Sequence, residues 1–307
     1  VKKLTKNYGS FCALDSLDFQ AERGKIVGLI GPNGAGKSTT IRMIMNILDI
    51  DSGEILLDGS AFTASDSDKI GYLPEERGLY KKEKVIDVMY YLAALKGCSM
   101  QDALPKIDYW LERFNLKEWK HKKIDALSKG MAQKIQFITT IVHEPQILFL
   151  DEPFSGLDPV SSDELLSIVQ ELKNAGRIIL FSTHVMEQAE RVCDHIIMLD
   201  KGKKILDGTV KQIKKEHGSD SYAIRVEGDI SFVENLSIVE KCTKKDNDSC
   251  IVFPKPGIDV NEFFQTILNE AKNNNAILQT ITRNEPSLHD IFVKRAGKVI
   301  SETGEAH

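Results

Sequence analysis

No uninterrupted apolar run in the sequence approaches the ~18 residues that a membrane-spanning helix needs. Cysteine is sparse. The five residues, Cys12, Cys98, Cys193, Cys242 and Cys250, form no CxxC pair, which argues against a zinc ribbon or a thioredoxin-type site. An odd, scattered set of thiols suits a reducing compartment. Charge of one sign is lacking too: 40 basic residues against 45 acidic ones leave a net charge of −5. That balance gives no support to nucleic-acid binding by bulk electrostatics. The basic start, Val1-Lys2-Lys3, runs into polar residues rather than the apolar core of a signal peptide. The expectation is a soluble, cytoplasmic chain whose only membrane contact is borrowed from a partner.

What is present is a globular composition, 42% apolar and 28% charged over 307 residues. A chain of that length buries roughly 75% of its unfolded surface and divides into about two domains. Residues 26–31 (IVGLIG) read as a short buried strand ending in glycine. Ile41, Ile44, Met45 and Leu48 then fall at i, i+3, i+4 and i+7, one face of a helix. Residues 147–150 (ILFL) and 178–182 (IILFS) are further buried-type strands. Between them Asp158-Pro159 opens a helix, with Leu165, Ile168, Val169 and Leu172 on its apolar face and Gly176 beyond its end. Buried strands joined by helices predict a mainly parallel sheet covered on both faces.

From about 74 to 143 the strand-like runs vanish and helical spacing takes over, predicting a helical subdomain in which Tyr90, Tyr91, Leu92 and Leu95 form core. After the charged stretch KQIKKEH (211–217) a new block begins. Residues 222–226 and 277–282 alternate, and 258–270 and 287–294 look helical. The predicted organisation is a first domain over 1–217 and a small α+β domain over 218–307, with strand–helix–strand–strand–helix–strand order in the second.

Gly31-Pro32-Asn33-Gly34-Ala35-Gly36-Lys37-Ser38-Thr39 fits the phosphate-loop pattern GxxxxGK[ST]. Polyphosphate must approach the backbone closely, and glycines remove the Cβ atoms that would block it. Successive N–H groups then form an anion nest, and the following helix adds its positive end. Lys37 supplies a full charge, and the Ser38 hydroxyl suits Mg²⁺. At the end of the second strand Asp151-Glu152 places two carboxylates at the sheet edge where open α/β sheets bind ligands. Asp151 suits Mg²⁺, which prefers carboxylate and water oxygens. Glu152 suits polarising an attacking water.

Further motifs follow in order. These are Leu127-Ser128-Lys129-Gly130, Ser155-Gly156-Leu157-Asp158 and Ser182-Thr183-His184. Taken with the phosphate loop and the run ILFLDE, they resemble the nucleotide-binding subunit of an ATP-binding cassette (ABC) transporter over about 1–217. The resemblance makes them the signature, the D-loop and the switch histidine. It places Tyr8 where an aromatic stacks on adenine, with Phe11 its nearest competitor. Two departures stand out. Glu75 occupies the place of a usual glutamine that touches Mg²⁺ and water. Met131 interrupts the usual LSGGQ, with Gln133 two places on. The runs 71–80 and 285–292 resemble a bacterial sodium-extrusion (Nat-type) branch.

What the resemblance implies is a P-loop ATPase core with N-terminal antiparallel strands. Two copies meet head to tail around two ATP and Mg²⁺, the phosphate loop of one facing Ser128 and Gly130 of the other. Lys37 serves the phosphates, Ser38, Asp151 and Glu75 the metal, Glu152 the water and His184 the γ-phosphate. A separate transmembrane permease is implied, with export as the expected direction and sodium as one possible cargo. The alternatives are a soluble mechanochemical or regulatory ATPase without a transport partner, and an ATP-gated module whose C-terminal domain reads a ligand. A single phosphate loop, the lack of a long heptad insertion and the acidic net charge weigh against the mechanochemical class.

Overall fold

The computed structural model describes residues 1–76, 78–218 and 221–303. The chain divides into two compact units, Val1–Val210 and Lys211–His307.

The first unit opens with a hairpin of β1 (Lys2–Tyr8) and β2 (Phe11–Leu17). β3 (Ile26–Ile30), buried at every residue, leads through the glycine loop into α1 (Lys37–Ile44). β4 (Ser52–Glu54) pairs with β1, giving an antiparallel sheet of order β2-β1-β4, and β5 (Leu56–Leu57) and β6 (Ser60–Ala61) form a small hairpin. β7 (Ile70–Leu73) is followed by α2 (Val85–Ala94), α3 (Met100–Arg113) and α4 (Lys129–Ile141). Then come β8 (Ile147–Asp151), α5 (Pro159–Asn174), β9 (Ile178–Thr183), α6 (Met186–Val192), β10 (His195–Asp200) and β11 (Lys203–Thr209).

The main sheet has the order β11-β10-β3-β9-β8-β7. Its pairs are parallel except β10 with β11. This is the α/β architecture the sequence predicts, with the N-terminal strands antiparallel and the insertion helical. Val27, Leu29, Phe149, Leu180 and Ile197 on the sheet pack with Ile41 and Met43 of α1 in one core. Each such side chain contributes roughly 1.5–3 kcal/mol by leaving water. The parallel order brings the C-terminal ends of β3 and β8 to the same edge, and with them the glycine loop and Asp151.

Two local expectations are corrected. The helix after the glycine loop stops at Ile44 rather than running on to Leu48. Asn46 adopts a left-handed conformation (φ 57) that terminates it, a position asparagine tolerates well. Met45 and Leu48 still pack on the core, from a turn. In α2 the core face is Val85, Val88, Met89 and Ala93, whereas Tyr91 and Leu95 are exposed. The phase of the helix is set by the Val85-Val88-Met89 spacing, which turns the tyrosine stripe outward. α5 forms as expected. The Asp158 carboxylate accepts from Ser161 N–H at 3.0 Å, Pro159 occupies the first turn, and Gly176 (φ 81) follows the end.

The second unit contains α7 (Val210–His217), β12 (Tyr222–Glu227), a 3₁₀ turn (Ile230–Asn235), β13 (Val239–Asp246), β14 (Ser249–Pro254), α8 (Val260–Asn273), β15 (Ile277–Arg283) and α9 (Leu288–Thr303). The sequence reading sets the boundary at 217/218. The compact units part at Val210/Lys211, so nearly all of α7 falls in the second. Its sheet is antiparallel throughout, in the order β13-β14-β12-β15. The connectivity is the predicted one, with a 3₁₀ turn in place of the first helix. Tyr222 lies on Phe263 of α8 with ring centroids 5.0 Å apart, inside a core that includes Ile224, Val252 and Ile267.

Candidate functional site

The loop between β3 and α1 wraps tightly because its glycines permit it. Gly31 (φ 148) leaves no room for a Cβ, which would run into the Leu199 carbonyl oxygen. Gly36 (φ 106) lies against the hairpin, and a Cβ there would sit 2.8 Å from the Ala13 oxygen. Gly202 N–H donates to Ala35 O at 3.1 Å and clamps the loop from the β10–β11 turn. The Lys37 ammonium is folded over the loop, donating to Gly31 O at 2.8 Å and Pro32 O at 3.0 Å. Burial pulls it below its ordinary pKa, while the carboxylates of Glu152, Asp151 and Glu75 push the other way.

Residues 33, 34 and 36–39 of the loop line an open cleft of about 390 Å³. Glu75, from the segment after β7, and Asp151 and Glu152, from the end of β8, form its far wall. Tyr8 and Phe11, cross-strand partners at the tip of the first hairpin and both exposed, close it on the third side. Gly31, Pro32 and Ala35 contribute backbone behind the cleft rather than its lining.

Asp151 is buried, and each oxygen meets a hydroxyl. Ser182 Oγ donates to Oδ1, and Ser38 Oγ lies 3.3 Å from Oδ2. Burial raises its pKa, against the two hydroxyls and Lys37, while Glu152 adds to the rise. Ser38 and Asp151 thus converge two hard oxygens at the mouth of the loop. That donor set fits Mg²⁺, which takes one or two protein ligands beside phosphate and water. Among the described residues no group of three His, Cys, Asp or Glu side chains gathers as a metal cage.

Glu152 sits in a left-handed conformation (φ 48), a strained setting for a residue with a side chain. Its carboxylate is held by the end of β9. Thr183 Oγ1 donates to Oε2 at 3.1 Å, His184 N–H donates to Oε1 at 2.8 Å, and His184 Nδ1 lies 2.6 Å from the same oxygen. His184 joins the site through Glu152, with half its side chain exposed.

Ser128 and Gly130 do not line this cleft. Ser128 is the N-cap of α4, its Oγ accepting from Met131 N–H at 3.2 Å, and Gly130 faces the Leu157 side chain. Gln133 is buried, with its amide donating to Pro153 O at 3.1 Å; it braces the loop that follows Glu152. Sequence reasoning missed the hydroxyls that hold the two carboxylates, Ser182 and Thr183. Only their place at the end of a buried strand is local; the pairing of Ser182 with Asp151 runs between two strands and leaves no signal in the sequence. It also missed Gln136, whose amide donates to Pro74 O and Glu76 O on either side of Glu75.

The family described as "ABC transporter" matches residues 14–155, and the family described as "ATP-binding protein DrrA1-3-like, C-terminal domain" matches 208–296. The chain is 40% identical to the uncharacterized ABC transporter ATP-binding protein YhaQ of Bacillus subtilis, over 97% of this chain and 98% of that protein. It is 29% identical to the linearmycin resistance ATP-binding protein LnrL of the same organism, over 98% and 99% of the two. A solved structure of an ATP-binding subunit of an ABC transporter superposes with a TM-score of 0.65 at 33% identity, covering 70% of this chain and 91% of that one.

Proposed function

The chain belongs to the family of ABC transporter ATP-binding proteins, and from that premise we propose that two copies close around Mg²⁺-ATP, hydrolyse it, and so drive a separate transmembrane permease. The observation that carries this reading is the convergence of the glycine loop, Lys37, Ser38, Asp151 and Glu152 on one cleft. The loop N–H groups and the start of α1 receive the phosphates. Lys37 exchanges its bonds to Gly31 O and Pro32 O for phosphate oxygens. Tyr8 or Phe11 stacks on the base. Ser38 and Asp151, with Glu75 nearby, hold Mg²⁺, which supplies neutralisation of the phosphate charge.

Phosphoryl transfer asks a protein mainly for positioning and charge stabilisation. Glu152, fixed at both oxygens, orients the attacking water and takes up its proton; His184, on the exposed side of that carboxylate, senses the γ-phosphate. Ser128 and Gly130, at the N-terminus of α4, serve the nucleotide of the partner copy. That assignment accords with their absence from the cleft of their own chain.

ATP then works as an adhesive, since it can favour the closed pair only by binding that state more tightly. Loss of the γ-phosphate releases it. Among the described residues no helix is long and apolar enough to cross a membrane. The permease and the place of this subunit on its cytoplasmic face are part of the proposal, and rest on the family to which the chain belongs. Export is the favoured direction, because LnrL, similar over nearly the whole chain, is named for resistance. The test is sedimentation of Glu152→Gln with and without Mg²⁺-ATP. A dimer that forms only with nucleotide is expected. A monomer under both conditions overturns the reading.

A further inference from the structure

We infer that the second unit carries a binding site for a small zwitterion with an apolar body, of which a free amino acid with an aromatic or branched side chain is the simplest form. A cavity of about 480 Å³ lies at one end of the four-stranded sheet, between β12, β13, β14 and the start of α8. That volume is in the ~300–1,000 Å³ range of small-molecule sites. Phe253, Ile258 and Phe263 give it apolar walls.

Three polar groups without partners face this one space. Tyr222 is 7% exposed and its ring is fixed against Phe263, yet among the described residues its hydroxyl makes no hydrogen bond. The ring is buried, and the hydroxyl at its tip opens to the cavity, where an occupant can reach it. Glu240 and Lys255, at the cavity's exposed side, form no ion pair with any described residue, including each other.

The backbone sets both charges in place. Val239 pairs with Pro254 and Lys241 with Phe253, so Glu240 is the extra residue of a β-bulge, the device by which a strand re-aims a side chain. Lys255 N–H donates to Ile238 O at 2.9 Å, and Ile258 N–H to Lys255 O at 3.3 Å. The turn Lys255-Pro256-Gly257-Ile258 so closed has proline second and a left-handed glycine (φ 86) third, the composition of a type II turn. Arg283, opposite Tyr222 on β15, also lines the cavity but has an interaction of its own.

The chemistry of an occupant follows from the set. A carboxylate meets Lys255, an ammonium meets Glu240, an apolar side chain lies on Phe253 and Phe263, and the Tyr222 hydroxyl adds one hydrogen bond. A simple anion leaves Glu240 uncompensated, and a simple cation leaves Lys255 so. A molecule bearing both charges satisfies both.

The full chain is titrated calorimetrically with L-phenylalanine, L-tyrosine, L-leucine and L-methionine. 3-Phenylpropionate and phenethylamine each lack one charge and serve as controls. At least one amino acid should bind, with the controls about 10-fold weaker or more. Tyr222→Phe removes no hydrogen bond from the folded chain, so it should leave the melting temperature unchanged while weakening binding ~5–10-fold. Lys255→Ala and Glu240→Ala should each weaken binding at least as much. Any of three results overturns the inference: no heat with any of the four up to about 10 mM, equal binding of a singly charged control, or full affinity in all three variants. The titration needs neither nucleotide nor permease, so its failure is distinct from failure of the ATPase reading.

Discussion

The Thr183 hydroxyl lies 3.1 Å from Glu152 Oε2, while the next residue, His184, holds Oε1 through its main-chain N–H and its ring. The end of β9 therefore grips both oxygens of a carboxylate whose own backbone is strained (φ 48). Thr183→Val keeps the shape and deletes the hydroxyl. It frees one carboxylate oxygen and also leaves Val185 N–H without the acceptor it has at 3.1 Å. The expected result is a kcat lowered ~3–10-fold with KM for ATP unchanged, and recovery in Thr183→Ser, measured by steady-state phosphate release. A variant altered only in stability would not show that split.

Glu152→Gln tests the carboxylate itself. Glutamine fits the same cage but cannot take a proton from water. Turnover should fall ~10²–10⁴-fold while calorimetric ATP affinity is kept. Wild-type turnover would remove Glu152 from the role proposed for it.

Most of this site was legible in the sequence because phosphate chemistry constrains local pattern. A glycine loop must follow a buried strand, and carboxylates at strand ends must reach the same edge. The parallel order of β3 and β8, inferred from the apolar runs, is what makes that inference hold. The supporting groups were less legible. Ser182 and Thr183 act across a strand pair, and Gln136 acts from α4 on a segment some sixty residues earlier, so neither leaves a local signature. The misread helix after the loop has a different cause. The 3.6-residue period continues through Leu48, but a single left-handed Asn46 ends the helix while the apolar residues beyond it still find the core. In α2 the aromatic stripe is bulkier, but Val85, Val88 and Met89 are the more apolar face and take the interior, leaving the tyrosine hydroxyls toward water.

Lys37→Ala removes the full positive charge that Lys37 folds over the loop. Hydrogen bonds to charged groups contribute about 1.5–3 kcal/mol, so ATP affinity should weaken ~10–100-fold by calorimetry. Unchanged affinity would mean that the loop backbone alone carries the phosphates.

His143 gives the chain an acid sensitivity. Its Nε2 lies 3.0 Å from Ile70 O, and its Nδ1 is buried with no partner. Nε2 therefore carries the proton, and a second proton would place an unpaired N–H⁺ in the interior. Burial accordingly holds the imidazole below its ordinary 6.5. A lowered folded-state pKa means that the unfolded chain binds more protons between the two values. The contribution to stability is complete above about pH 6.5 and is lost as the pH falls through the lowered value. Urea unfolding at pH 7 and pH 5 should show a larger loss for the wild type than for His143→Gln, which keeps a donor for Ile70 O without the titration. Equal losses would show that His143 has no part in the pH response.

Gln136 is buried, donates its amide to Pro74 O at 3.4 Å and Glu76 O at 3.3 Å, and leaves its own Oε1 with no partner. The two bonds are long and therefore weak, while an orphaned buried oxygen costs about 1–3 kcal/mol. Replacement by leucine gives up the first and relieves the second, so overall stability should change little. The segment bearing Glu75, however, loses the clamps on either side of it. Gln136→Leu should therefore leave the thermal midpoint near that of the wild type, speed hydrogen exchange at the amides of Glu75 and Glu76, and raise the Mg²⁺ concentration needed for half-maximal turnover. A lowered midpoint with unchanged Mg²⁺ dependence would make Gln136 a packing residue and detach Glu75 from the metal.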